Sequence, residues 1–514
     1  MQHHRWRSWR SNLATADDGR GRVRNAHRSA FSVDHYSGPA PATTAPPVTE
    51  PAATSTTAAP PAEEESGPPP GAGAGDSFYP WLGNSGYDVT HYDLVLDVDP
   101  DANAVDGITT VHAVSTAELE TIYLDLSGLE VSAVKVDGIA AEFSRERTEL
   151  IVRPVPPIPA GIGFVVEVAY SGMPERIDDP GVPFIRLGWF NQSGVIYTAN
   201  EPSGSMSWFP SNNHPSDKAT FTISITVPEH LTAASNGLLV SETVAGGRRT
   251  ATWHSDDPMA TYLAAVYIGP FERHEQEARE CLLIRDYIPS SLTDEQRQAT
   301  LDALSVTPGA GAFFEELLGP YPFDAYGTLV LPFSIGFAME NQTLSLHGHQ
   351  TLTPLIIAHE LAHAWFGNSV SPADWSDIWL NEGFAPYLAL LYLADHGGHD
   401  IGALMAGELQ AARSAGAGPP DSLTVEQLFD FPSVYQRSTL TLHALHRHLG
   451  DETFFEIVRQ HYRQSGGGTV TTPEFMAIVA HLAGPEAVAL LASWLYSPEI
   501  PSTLDDSAVS GSGG

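Results

Sequence analysis

A chain of 514 residues exceeds what one hydrophobic core usually organises and points to two or three domains. With 62 acidic against 25 basic residues the formal charge is −37, which repels phosphate backbones and sets nucleic acid aside as a partner. No stretch approaches the roughly 18 uninterrupted apolar residues of a transmembrane segment, 384–394 coming nearest, and the single cysteine, Cys281, excludes an intramolecular disulfide and reads as a buried strand residue.

In chain order, the first 35 residues carry seven arginines but no apolar run fit for the core of a secretory signal, so the chain as written reads as cytoplasmic. Residues 37–75 are almost wholly Pro, Ala, Thr, Ser, Gly and Glu, a composition that buries too little surface to offset chain entropy. A disordered arm and linker is therefore expected over 1–76, of a kind that often tethers extracellular or cell-envelope domains. Over 77–272 short alternating runs predict a β-rich domain: in "HYDLVLDVD" Tyr92, Leu94, Leu96 and Val98 share one face, and "TIYLDL", "FVVEVAY", "ATFTISITV" and "YLAAVYIG" follow as strands. From 273 to 500 the texture is mainly helical, with Thr293 capping "TDEQRQATLDAL" and helical spacing in "TLTLHALHRHL" and "PEFMAIVAHLA"; residues 501–514 form a polar tail. Only Lys135 and Lys218 are lysines, which reads as a compositional bias.

The chemistry concentrates in "TPLIIAHELAHAWFGNSV", where Thr353, Pro354 and Gly367-Asn368 bracket a helix over about 354–366. Four residues apart on that helix, His359 and His363 present both imidazoles on one face, suited to two corners of a Zn²⁺ tetrahedron. Glu360 points aside, where it can act as general base on a water activated by the metal. Zinc needs a third protein ligand, and Glu382 in "WSDIWLNEGFAPYLALLYL" supplies a carboxylate 18 residues beyond His363.

His-Glu-x-x-His, 18 residues, then Glu within "NEGFA" resembles the gluzincin aminopeptidase family typified by aminopeptidase N. "GFAMENQT", "VYQRSTLTLHALHRHLGDETFF" and "TANEPSGSMSWFPSNNHPSDKATF" resemble further family motifs, in order, across about 77–500. The resemblance implies a multidomain α+β fold, with an antiparallel, saddle- or sandwich-like β domain before a thermolysin-like, mainly helical catalytic domain. The resemblance is to a short form, expected to end before the family's C-terminal helical-repeat domain.

It also implies one Zn²⁺ per chain on His359, His363 and Glu382, Glu360 as base and Tyr435 as oxyanion donor. Glu340 and Glu201 would grip a free α-ammonium while the backbone of Ala338 and Met339 runs along the substrate. The implied activity is hydrolysis of the N-terminal bond of peptides by a monomer or weak oligomer; a zinc endopeptidase and a catalytically weak peptide-binding protein are the alternatives. Four positions depart from the pattern: Phe337 and Ser438 stand where glycine is usual, Ala389 replaces a glutamate that supports a ligand, and Pro386 should kink or start the second zinc helix. The histidines at 347, 349, 396, 399, 443, 446 and 448 are expected to be solvated or capping.

Overall fold

The computed structural model describes residues 68–279 and 282–502. Residues 1–67 of the expected linker, most of the expected tail and Cys281 lie outside them. Folded structure begins before the expected boundary at 77: Ala72 pairs with Asn84. The buried Asp76 carboxylate accepts from the backbone N–H groups of Phe78, Tyr79 and Trp375 and holds His214 at 3.0 Å. Two of these partners, His214 and Trp375, are far away in sequence, which the low-complexity composition before Asp76 does not reveal.

The β domain is built on an eight-stranded sheet whose central strands are Tyr87–Asp99, Ala104–Ser115 and Lys218–Pro228. Along Tyr87–Asp99 the odd–even alternation buries Tyr92, Leu94, Leu96 and Val98 while Val95 stays exposed. The expected antiparallel sheet has one exception at its centre, since Tyr87–Asp99 runs parallel to Lys218–Pro228. A parallel pair needs a long crossover, and here the intervening chain supplies a three-stranded sheet (Ile122–Asp125, Glu142–Glu146, Glu149–Arg153) and the Gly188–Gln192 and Val195–Ala199 hairpin. Only the second half of "YLAAVYIG" is strand, Val266–Gly269, its first half being a turn of 3₁₀ helix.

The catalytic domain pairs Phe271–Arg279, Leu282–Pro289, Thr328–Leu331, Ser345–Gly348 and, at the edge, Ala338–Met339, with helices alongside. These are α1 (Asp294–Leu304), α2 (Thr307–Leu318), α3 (Pro354–Ala362), α4 (Trp379–His396), α5 (Ile401–Ala415), α6 (Ser438–Ser465) and α7 (Thr472–Leu495). Thr293 caps α1 in a reciprocal capping box with Gln296. The two domains share one apolar core: Trp375, Ile378, Leu428 and Val434 of the helical side pack with Tyr92, Trp208, Phe221 and Tyr262 of the β side. By length and composition alone α7 is apolar enough to cross a membrane, a test that the core helix of a globular domain also passes. It breaks at Gly484 (φ 80°), and Phe475, Leu491 and Trp494 are buried in the helical domain.

Candidate active site

α3 starts as expected, with the Thr353 hydroxyl accepting from the Ile356 N–H and Pro354 in the first turn, but it ends at Ala362, short of the expected 366. The chain turns because the β domain binds the carbonyls of the next segment. Lys218 Nζ donates to the Asn368 and Ser369 carbonyls, both at 2.8 Å, and the Tyr262 hydroxyl to Gly367 at 3.1 Å. Lys218, first read as part of a compositional bias, is thus an interdomain contact behind α3.

His359 Nε2 and His363 Nε2 lie 3.0 Å apart and each is 3.7 Å from Glu382 Oε2. Four ligands about 2.1 Å from a tetrahedral Zn²⁺ sit about 3.4 Å from one another, so the three donors fit that ion. His363 Nδ1 donates to the Phe366 carbonyl at 3.1 Å, which leaves the Nε2 lone pair facing the site. Burial lowers the pKa of both imidazoles and keeps them neutral, the form that ligates. Glu382 Oε2 is buried without a hydrogen-bond partner, as a carboxylate reserved for a cation would be.

α4 begins at Trp379 and continues through Pro386, so the helix does not start at that proline. Phe384, two residues before that proline, stacks on Phe366 at 4.4 Å and packs edge-on against Phe475. Ala389 is wholly buried and His359 Nδ1 has no hydrogen-bond partner, in contrast to His363 Nδ1.

Around the triad stand Glu201, Glu340 and Glu360, all buried. Carboxylate oxygens of Glu201, Glu340 and Glu382 lie within 4.8 Å of one another, and one oxygen of each lacks a hydrogen-bond partner. Burial first, and then Glu340 and Glu382, hold the Glu360 carboxyl well above the usual carboxylate range; burial, then Glu340, Glu382 and Glu360, do the same for Glu201. Such crowding is tolerable only with positive charge among the oxygens.

Tyr435 rides on a wide, π-type turn over Phe431–Arg437 that leads into α6, its ring stacked on Phe431 at 5.3 Å and its hydroxyl bonded to Glu382. Burial, then Glu382, push its pKa well up, so it remains a hydrogen-bond donor. Ala338–Met339 pair on one side only, with His347 and Leu346, and among the described strands their other edge is open. Gly336 takes the positive φ of 81° that the turn into this edge requires, with Phe337 following it. The structure thus brings His359, Glu360, His363, Glu382, Tyr435, Glu340 and Glu201 together, with Ala338 and Met339 on the adjoining edge strand.

Sequence reasoning missed what positions them. The Asn368 amide donates to the Glu340 carbonyl at 2.7 Å, and Tyr267 and Asn236 of the β domain bind Asn341 and Gln342. Their signal was Asn368 inside the helix-stop pair and asparagines packed into the 200–236 stretch. His347 and His443, expected to be solvated or capping, are buried; His347 has no hydrogen-bond partner and His443 bonds the Tyr387 hydroxyl at 3.3 Å.

Ser438 has a definite counterpart: a Cβ built on Gly383 would meet the Ser438 Cβ at 2.8 Å. Gly383→Ala should therefore overpack the contact beside Glu382 and cost about 1–3 kcal/mol, and Ser438→Gly should restore most of that loss, as read by a double-mutant cycle of urea unfolding.

Comparison with known proteins places this geometry. The Peptidase family M1 domain matches residues 303–494 and the Peptidase M1 N-terminal domain residues 89–263. An M1 zinc metallopeptidase from Deinococcus radiodurans, solved as a variant bound to a Tyr-Ser-Ala substrate, is 33% identical with TM-score 0.75, covering 84% of this chain and 98% of that one. A two domain M1 zinc metallopeptidase variant bound to L-tryptophan is 33% identical with TM-score 0.77, over 84% and 99%. Among curated proteins, Aminopeptidase M1 of Arabidopsis thaliana is 25% identical over 451 residues, 80% of this chain and 50% of its own length. Leucyl aminopeptidase of Saccharolobus solfataricus is 24% identical over 439 residues, 80% and 54%. The chain therefore spans about half the length of these curated relatives and nearly all of the solved ones. With both family domains matched in order and a one-third identity carried across two whole solved chains, this protein belongs to peptidase family M1.

Proposed function

We propose that the chain is a zinc aminopeptidase that removes single residues from peptides with a free N-terminus, as a monomer or weak oligomer with one Zn²⁺ on His359, His363 and Glu382. The observation that carries this reading is the set of unpaired, buried carboxylate oxygens of Glu201 and Glu340 beside the His–His–Glu triad. An α-ammonium has three donors and one positive charge, and so matches that oxygen set at the place where a peptide chain begins.

Zinc bound to the triad would supply Lewis-acid polarisation of the scissile carbonyl and acidify a water. The residues do the rest. Edge-strand pairing with Ala338 and Met339 would align the peptide backbone, and Glu340 with Glu201 would fix its first residue. Glu360, its proton affinity raised by burial and by neighbouring carboxylates, would accept the proton of the attacking water and return it to the leaving amine. The Tyr435 hydroxyl would donate to the developing oxyanion.

Two measurements test this. A peptide with a free N-terminus should be cleaved in a chelator-sensitive reaction and its N-acetylated counterpart left intact; equal rates on both would refute an aminopeptidase and favour an endopeptidase. Tyr435→Phe should lower kcat by roughly 10²–10³ with little change in KM, read by steady-state kinetics on an aminoacyl fluorogenic substrate.

A further inference from the structure

We propose that Glu408, on α5, is a positioning residue for Tyr435: bonded to Gln436, it fixes the wide turn that aims the tyrosine hydroxyl into the site. The inference rests on the reading of Tyr435 as the oxyanion donor, and adds to it the group that keeps the hydroxyl in place.

Along α5 the buried residues Met405, Glu408 and Ala412 recur with the spacing of a core-facing stripe. Such a stripe normally takes apolar side chains, and Glu408 stands in it between two residues that are wholly buried. Its partner is the Gln436 amide nitrogen, which donates to Glu408 Oε2 at 2.8 Å, and both residues are buried. Burial raises the Glu408 carboxyl above the ordinary carboxylate range, an effect that the bond from Gln436 offsets only in part. A buried carboxylate facing a neutral amide stabilises a fold less than an apolar side chain of similar volume would. Packing alone therefore does not account for a glutamate at this position.

The turn that it reaches needs support from outside. Over Phe431–Arg437 the backbone is wound one residue wider than an α-helix, a form that persists mostly as single turns. Two residues before Tyr435, Ser433 Oγ accepts from the Gly418 N–H at 2.9 Å. Two residues after it, the Arg437 guanidinium donates to the carbonyls of Ala417, Trp494 and Ser497. These bonds run to backbone and hold the ends of the turn. Glu408 holds the residue directly after Tyr435. Neighbouring helical side chains point roughly a quarter-turn apart, so Gln436 tied to α5 sets the direction in which Tyr435 leaves the backbone, toward Glu382. Released from Glu408, the turn is free to tighten and to draw the hydroxyl out of line.

The test is steady-state kinetics of the zinc-loaded full-length protein on an aminoacyl fluorogenic substrate, in the parent and in a Tyr435→Phe background. Glu408→Met removes the acceptor at nearly constant volume, and kcat should fall roughly 10–100-fold with KM and zinc content little changed. In the Tyr435→Phe background the same exchange should alter kcat by less than about twofold, because the hydroxyl it positions is gone. Glu408→Gln, which keeps an acceptor for the Gln436 amide, should recover most of the loss. Gln436→Leu breaks the pair from the other side and should reproduce the loss, so it decides the matter where Glu408→Met does not fold. Parent-like kcat in Glu408→Met or Gln436→Leu, an equal loss in both backgrounds, or a loss in Glu408→Gln as large as in Glu408→Met would overturn the proposal. Full kcat in Tyr435→Phe alone would instead refute the oxyanion reading, and the proposal with it.

Discussion

Replacing Glu360 by Gln is expected to lower kcat roughly 10²–10⁴-fold while zinc content stays at one per chain by metal analysis. The side chain comes off α3 between the two histidine positions, so it lies beside the triad without contributing to it. Glutamine keeps the length and the hydrogen bonding of the site but has no basic oxygen, so binding and geometry survive while the proton loses its carrier. Burial, followed by Glu340 and Glu382, raises the Glu360 pKa. A group whose folded pKa is raised is protonated at higher pH than usual, so activity should fall on the acid side at a pH above that of an ordinary carboxylate. The Gln variant's residual activity should lack that acid limb. Full activity in Glu360→Gln with zinc bound would remove this residue from the chemistry.

The second large effect is at Glu340. If Glu340 grips the substrate ammonium as proposed, exchange for Gln turns a charge-assisted contact into a neutral one, a loss of about 1.5–3 kcal/mol, or roughly 10–150-fold in kcat/KM. The loss should be confined to substrates with a free amine, so the preference over N-acetylated peptides should narrow by the same factor. A merely structural role would lower both substrates together. Because Glu340 also raises the pKa of Glu201, Glu360 and Glu382, its neutralisation should shift the acid limb of the remaining activity downward.

The site was legible in the sequence wherever its logic is local. His359 and His363 are separated by one helical turn, and that spacing alone puts two imidazoles on one face. The alternation from Tyr92 to Val98 and the Thr293 cap could likewise be read directly, because strand faces and helix starts are decided by neighbours in sequence. Glu382 was reached from zinc's need for a third ligand, whereas the expected roles of Tyr435 and Glu340 came only with the family likeness, since their meeting depends on how separate segments pack.

What stayed hidden depends on distant partners. The early end of α3 is decided by Lys218 and Tyr262, which lie 150 and 105 positions from the carbonyls they bind. The parallel central pair requires a crossover of more than a hundred residues, and no periodicity announces which strand a strand will join. Pro386 does not begin its helix, because α4 already starts at Trp379 and Phe384 is packed on Phe366 and Phe475 ahead of the proline. His347 looked like a surface histidine in a polar run, yet its strand is covered on both sides.

One arrangement at the substrate edge reaches further. The segment with Ala338, Met339 and Glu340 belongs by pairing to the catalytic sheet, yet the turn after it is pinned from the other domain. Asn236 holds the Gln342 carbonyl at 2.7 Å, Tyr267 holds Asn341 at 2.9 Å, and Thr343, at a positive φ of 66°, accepts from the Gly237 N–H at 2.8 Å. The element that would measure where a peptide begins is thus a joint product, shaped by one layer and clamped by the other. Cutting the gene between them should not leave a smaller enzyme of broader taste. It should leave a helical body that still binds metal but whose ruler has come loose, so that recognition of chain ends is inherited only where both layers are kept.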